Sequence, residues 1–170
     1  RAHFSLLRHF DESALHYKTA CEAKEEAPTP QMLLGTCVHA ALFGAQKNVM
    51  LVPWPGKTRS SSAVVDGVTW NYKAFAKEYS KLAKAKKLEL TIVSQTMWDR
   101  AKRIADAVRA DPVAAPLLFA PGTMHEGLLE GFDPGTGIEF ATRGLDALNV
   151  GEQYACDFKT TTNSQAQHFT

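Results

Sequence analysis

Two carboxylates and a lysine toward the C-terminal side of the chain have the types and spacing for metal-assisted phosphodiester cleavage. They lie in residues 142–162, TRGLDALNVGEQYACDFKTTT. The tripeptide Asp157-Phe158-Lys159 closes a run, 154–159, that alternates in character. Strand side chains point to opposite faces with period two, so Asp157 and Lys159 are expected on one face and Phe158 on the other. Asp146 lies eleven residues upstream of Asp157, across an expected turn at Asn149-Val150-Gly151-Glu152. If the flanking segments pair antiparallel, the two aspartates become neighbours. Adjacent carboxylates repel unless a cation neutralises them, and hard oxygen ligands suit Mg²⁺ or Mn²⁺. A lysine on the same face can position a water or stabilise charge building on the phosphate. The same residues also fit a solvated hairpin with a surface ion pair.

Other elements must bring further groups to that pair. Residues 30–43, PQMLLGTCVHAALF, read as an interior helix, with Leu33, Leu34, Cys37, Val38, Ala41 and Leu42 covering most of its surface. Gly35 weakens a helix and is expected where a neighbour approaches closely. His39 is the strongly polar group of the apolar part. It is either a satisfied core histidine or, beside Asp146 and Asp157, an imidazole ligand in a carboxylate site. Residues 122–141 predict a β-hairpin, with strands 124–129 and 138–142 joined by Asp133-Pro134-Gly135-Thr136-Gly137. Glu126 at its start is an exposed strand residue or a third acid near the cation. The antiparallel meander is expected to continue into the strands of Asp146 and Asp157.

Between these lie the remaining elements. Residues 49–52 and 63–65 are short apolar patches flanking a loop, 56–62. Its Lys57-Thr58-Arg59 either contacts phosphate or is simply exposed. Residues 71–87 predict a helix with Phe75, Tyr79, Leu82 and Ala83 inward. Lys73, Lys77, Lys81 and Lys84 form its outer face, either merely solvated or a stripe following a nucleic-acid backbone. Residues 88–93 are a short strand or that helix's tail. Residues 96–109 predict a further helix capped by Thr96, with Asp99 three residues on and Met97, Ala101, Ile104 and Val108 buried. Ala110-Asp111-Pro112 ends it, and a short apolar segment, 113–119, comes next. Residues 3–18 read as a packing element with Ser5 as helix cap.

The totals bound the class. A chain of 170 residues suggests one domain, and 45% hydrophobic with 22% charged residues is ordinary for a globular protein. The net charge of +1 carries no global signature of a nucleic-acid binder, so any attraction to DNA must be local. Three cysteines, Cys21, Cys37 and Cys156, lack CxxC or CxxH spacing. That argues against a zinc site or disulfide framework and fits a reducing compartment. No apolar run reaches membrane-spanning length and no signal-peptide pattern opens the chain. Both ends read as cuts in a longer protein. There are no internal repeats and no GxGxxG or Walker sequence.

Taken in order, the motifs resemble the PD-(D/E)xK nuclease superfamily, and within it the RecE-type exonucleases (exodeoxyribonuclease VIII) and their phage-encoded relatives. Ser5-Leu6-Leu7 and Ser13-Ala14-Leu15-His16-Tyr17-Lys18 are similar to that family's opening, with Ala14 where it has Pro. Leu34-Gly35-Thr36-Cys37-Val38-His39-Ala40 is similar to its L-G-T-x-x-H helix. Ala107-Val108-Arg109-Ala110-Asp111-Pro112, His125-Glu126, Gly135-Thr136-Gly137, Arg143-Gly144-Leu145-Asp146 and Asp157-Phe158-Lys159-Thr160-Thr161 come after it in the family's order. The resemblance implies an α/β fold with a restriction-endonuclease-like core: a mixed central sheet with an antiparallel meander, flanked by helices. It implies that His39, Asp146, Asp157 and the main-chain carbonyl of Phe158 ligate Mg²⁺ or Mn²⁺. Lys159 would orient the attacking water, and Glu126 would be an auxiliary acid.

The implied activity is 5′-to-3′ exonuclease digestion of linear duplex DNA in phage-type recombination, in a bacterial or phage-encoded cytoplasmic protein. A single-strand annealing partner and a homo-oligomer go with it. A restriction-like or structure-specific endonuclease and a catalytically inactive DNA-binding module of the same fold are the alternatives. The family's Gln-x-x-x-Tyr helix after the (D/E)xK strand has no counterpart, since Gln165 and Gln167 do not supply it. Residues 1–170 are thus expected to form one nuclease domain truncated at its C-terminus.

Overall fold

The computed structural model describes Ser13, Leu15 and Lys18 together with residues 28–44 and 48–158. The packing element expected over 3–18 lies almost wholly outside the described residues, as do Lys159 and the residues after it. In chain order the elements are α1 (Pro30–Phe43), β1 (Val49–Trp54), β2 (Ser62–Val65), β3 (Val68–Asn71), α2 (Tyr72–Ala85), β4 (Glu89–Ser94), α3 (Gln95–Ala110), α4 (Ala114–Phe119), β5 (Gly127–Asp133), β6 (Ile138–Leu145), β7 (Ala147–Asn149) and β8 (Tyr154–Cys156). They make a mixed α/β fold.

The apolar strands β1 and β4 pair in parallel, Val49 opposite Glu89 through Trp54 opposite Ser94. A parallel pair needs a crossover, supplied here by the β2–β3 hairpin and α2. Alternation along the two strands divides the core. Met50, Val52, Trp54, Leu90 and Ile92 pack with Phe75 and Tyr79 of α2 and Trp70 of β3. Leu51 and Val93 pack with Cys37, Val38 and Leu42 of α1 and with Ala101 and Ala105 of α3. The two alanines are fully buried, so α3 approaches α1 closely. Arg109 of α3 donates to the carbonyls of Ala41 and Leu42, binding a cation to the C-terminal end of α1. Thr29 caps the other end of α1, its hydroxyl accepting the Met32 N–H at 3.2 Å, and Pro30 comes next, where a missing N–H costs nothing.

The structure departs from expectation at several local signals. Ser94, not Thr96, caps α3: it is both the last residue of β4 and the acceptor of the Met97 N–H, so the strand runs straight into the helix. Asp99 turns instead to Lys102, 3.0 Å away. Strand β3 was hidden behind the helix start at Asn71. Asp66 and Gly67, with φ of 50° and 78°, form the tight turn that folds β2 onto it. Leu82 is 44% exposed, and the inner line of α2 is held by Tyr72, Phe75, Tyr79 and Ala83. The segment 113–119 is helical, and 88–93 is the strand β4 rather than a helix tail.

The C-terminal half differs most. The expected turn is present, with the Asp133 carboxylate accepting from the Gly135 N–H and the Thr136 hydroxyl. However, β5 begins at Gly127 rather than 124, and β6 runs on to Leu145. Met124 instead makes a bridge to Leu148 of β7. A single mixed central sheet is not formed among the described residues. The strands pair two by two: β1–β4, β2–β3, β5–β6 and β7–β8. The physical reason lies at the end of β6, where Gly144 takes a left-handed φ of 69° and the chain bends just beyond the strand at Asp146. That bend turns the chain out of the β5–β6 ladder before β7 begins.

The aromatic side of the core hangs on Phe75, which is 2% exposed and touches the rings of Trp54, Trp70 and Tyr79. Phe75→Ala should cost about 3–5 kcal/mol of stability, the usual loss for a buried aromatic. Urea unfolding of the variant checks this. A loss below about 1 kcal/mol would mean that the site collapses freely.

Candidate functional site

The bend after β6 places Asp146 inside the protein, with 4% of its surface exposed. A carboxylate so placed must be satisfied by hydrogen bonds. One oxygen, Oδ1, lies 2.5 Å from His39 Nε2 on α1. The other, Oδ2, accepts the Phe158 backbone N–H at 2.5 Å. The Asp157 side chain lies beside it, one position outward from the Ala147–Cys156 pair, and bears on its charge. Burial pushes the Asp146 carboxyl up. The His39 imidazole, the Phe158 N–H and Asp157 pull it down and prevail, so it lies below the usual carboxylate range.

The pairing that juxtaposes the aspartates is the one read from their spacing. In β7–β8, Ala147 faces Cys156, so the next residues outward on either strand are Asp146 and Asp157. Asn149 closes the turn as the sequence indicated, its Oδ1 accepting the Glu152 N–H at 3.0 Å. Its amide donates to the Pro121 carbonyl and the Thr123 hydroxyl, tying this hairpin to the segment before β5. One correction concerns the strand carrying Asp157. Strand β8 ends at Cys156, because the Phe158 N–H is spent on the Asp146 carboxylate rather than on a backbone partner. Asp157 is exposed at the rim, and Lys159 lies outside the described residues.

Glu126 joins the group from the other hairpin. Its Oε1 lies 3.1 Å from His39 Nε2. It reaches inward because its backbone is left-handed, with φ of 56°, a conformation that a residue with a side chain adopts at a cost. Gly144 lies against it: a Cβ there would sit 3.4 Å from Glu126 Oε2. Glu126 is therefore not an ordinary exposed strand residue, and His39 is not a residue of the apolar core alone. His39, Glu126 and Asp146 have donor atoms all within 4.8 Å of one another. Asp157, though beside Asp146, is not in that set, so among the described residues the third donor of the group is Glu126.

The donors can be tested against an ion. Adjacent ligands at about 2.1 Å on an octahedral cation stand about 3 Å apart. The His39–Glu126 spacing of 3.1 Å suits that, whereas the 2.5 Å between His39 and Asp146 is a direct hydrogen bond that must open by about half an ångström. His39 would also have to carry its proton on Nδ1 to present a lone pair at Nε2. One imidazole with carboxylates suits a borderline or hard divalent ion. The group opens on a cleft of about 540 Å³, lined also by Gln31, Thr36, Gly144, Asp157 and Phe158.

One supporting residue escaped the sequence reading. His125 Nδ1 donates to the Asp146 carbonyl at 2.9 Å, and its ring packs 4.9 Å from Phe43. Its position beside Glu126 was the available signal, but the contact spans 21 residues and depends on the bend. The lysines expected on one face, Lys73, Lys77, Lys81 and Lys84, are all exposed along α2, with Lys81 paired to Glu78 at 3.1 Å. They belong to the other half of the molecule and do not line the cleft.

Among the described residues no helix is long and apolar enough to cross a membrane. Comparison of the chain with protein-family models, curated proteins and solved structures gives no match.

A carboxylate whose folded pKa is lowered stabilises the fold above its unfolded pKa, and that contribution is lost as pH falls through the folded value. For Asp146 the loss begins near the ordinary value of 3.8 and continues below it. Asp146→Asn should therefore be less stable than the unsubstituted chain at neutral pH, with the gap narrowing below pH 3.8. Melting temperatures of both proteins across this range, without added metal, check it. A gap that stays constant would show that the carboxylate's charge is not what His39 and Phe158 hold.

Proposed function

We propose that the chain is a metal-dependent deoxyribonuclease, an exonuclease hydrolysing linear duplex DNA. The observation that carries this reading is the convergence of His39, Glu126 and Asp146 in one cleft with Asp157 at its rim. The order of motifs shared with RecE-type nucleases adds direction, and with it a restriction-endonuclease-like core, a 5′-to-3′ polarity and a role beside a single-strand annealing protein.

His39, Glu126 and Asp146, with Asp157 beside them, would hold Mg²⁺ or Mn²⁺. When bound, such an ion polarises a phosphoryl oxygen and lowers the pKa of a coordinated water. The chain's own residues prepare the rest. Asp146 is held ionised by the His39 ring and the Phe158 N–H, so charge is in place before any substrate arrives. His125 fixes the Asp146 backbone, and the packing of Phe43 on both histidines fixes the rings. Asp157, exposed and beside Asp146, would serve as a further ligand to the ion. Lys159 in this reading contributes positive charge toward the scissile phosphate.

The test is cleavage by the full chain of end-labelled linear duplex and of closed circular DNA, with Mg²⁺, Mn²⁺ or EDTA. Linear DNA should be shortened from its ends only when a divalent ion is present, and the circle should be spared. Asp146→Asn, Asp157→Ala and Lys159→Ala should each lower the rate by about a hundredfold or more, the scale of losing one preorganised charge. Equal cutting of circles would replace the exonuclease with an endonuclease. Binding of DNA without cleavage under any ion would mark an inactive module, and unchanged digestion by the Asp157 variant would remove the site assignment.

A further inference from the structure

Three cavities adjoin around the N-terminal end of α1. The cleft of His39, Glu126 and Asp146 shares Gln31 with a second cavity of about 310 Å³, whose walls include Ser94, Met97 and Arg100. Ser94 and Met97 also line a third, of about 300 Å³, bounded by Trp54, Tyr72 and the loop carrying Lys57 and Arg59. The linings of the second and third cavities contain Lys57, Arg59 and Arg100 and no acidic residue. In a chain with 19 cationic and 18 acidic residues this is a local imbalance, which favours an anion. Among the described residues no carboxylate pairs with these three cations, in contrast to Lys81 and Lys102.

The loop is held in shape. The Trp54 indole N–H donates to the Thr58 carbonyl at 2.9 Å. Ser61 accepts the Thr58 N–H and donates back to the same carbonyl. Gly56 lies flat on the Trp54 ring, where a Cβ would come within 2.6 Å of the indole. The Arg59 guanidinium rests over the Tyr72 ring, 5.2 Å from its centroid, which orients it and leaves its edge N–H groups to donate.

We propose that these two cavities seat the phosphates of a single DNA strand that continues out of the cleft. The proposal rests on the nuclease reading for the identity of the polyanion. A single strand is the occupant because cavities of about 300 and 310 Å³ stand at the small end of ligand pockets, the scale of a nucleotide unit rather than of paired strands. Lys57 and Arg59 hold phosphates at the far end, and Arg100 holds one between them and the cleft. The lysine face of α2 is separate from this track.

The experiment is fluorescence anisotropy of a short labelled single strand with the full chain in EDTA, over a range of salt. The Lys57→Ala, Arg59→Ala double variant should bind about tenfold more weakly or worse. Its slope of log affinity against log salt should fall by about 1.4, from two lost contacts at about 0.7 each. Arg100→Ala should lower the slope by about 0.7. Lys102→Ala, on the same helix and paired with Asp99, should leave both unchanged. All four side chains are exposed, so melting temperatures should hold. If the double variant does not fold, Arg59→Gln alone is read in the same way at half the slope change.

Unchanged affinity and slope in the double variant overturn the seat, as does an equal loss in Lys102→Ala. Absence of single-strand binding by the unsubstituted chain overturns it whatever the cleavage assay returns. Cleavage by the unsubstituted chain with unaltered binding by the double variant removes the seat and leaves the nuclease reading intact. Single-strand binding that is weakened in the double variant, with no cleavage of DNA under any divalent ion, keeps the seat and removes that reading.

Discussion

A carboxylate taken out of water must find its hydrogen bonds within the protein, and at Asp146 they come from two distant parts of the chain. His39 arrives from α1 and the Phe158 N–H from the segment after β8, with Asp157 at the neighbouring position in that segment. None of these partners is local in sequence, so satisfying one buried charge fixes the relation of α1 to the β7–β8 hairpin. Removing any one of them leaves the desolvation of Asp146 less well offset, at a cost of about 1–3 kcal/mol or more for a charged group. The Phe43, Phe119 and His125 rings extend the same junction in apolar form, joining α1 to α4 and to the start of β5.

The parallel pair β1–β4 acts as the wall to which this junction is attached. One face of the pair holds α1 and α3 through Leu51 and Val93, and the other holds α2 through Val52, Trp54 and Ile92. Small residues at Ala101 and Ala105 bring α3 against α1, so the helix carrying His39 is gripped along its length. Rigidity there matters, because a ligand set is useful only if its donors stay within a few tenths of an ångström of their working positions. The Ser-rich stretch after Trp54, loop-like in composition, is likewise tied down by side-chain bonds at Thr58 and Ser61.

How much could be read from the residues depends on how local each cause is. The bounds of α1 were legible because Pro30 and the Thr29 cap act within one turn. The Asp133 turn was legible because its own side chain closes it. The adjacency of Asp146 and Asp157 came from a spacing that one hairpin register satisfies. Strand β3 could have been found from Asp66-Gly67 but was overshadowed by the helical pattern after Asn71. The two-by-two pairing of strands and the inward reach of Glu126 were not legible. Both depend on left-handed backbone at single residues, Gly144 and Glu126, which no hydrophobic period encodes. His125 was signalled as a support only by its place beside Glu126, since its bond to the Asp146 carbonyl exists only once the chain has bent.

The left-handed backbone at Glu126 carries a consequence for how this position can change. Holding a side-chain-bearing residue in that region costs about 1–2 kcal/mol that glycine would not incur. A chain selected for folding alone would drift there toward glycine or asparagine, and would shed an acid from beside His39 in doing so. Stability and the retention of a third charge therefore pull in opposite directions at one codon. Any programme of thermostabilisation by consensus or design would tend to erase the acid while improving the melting curve.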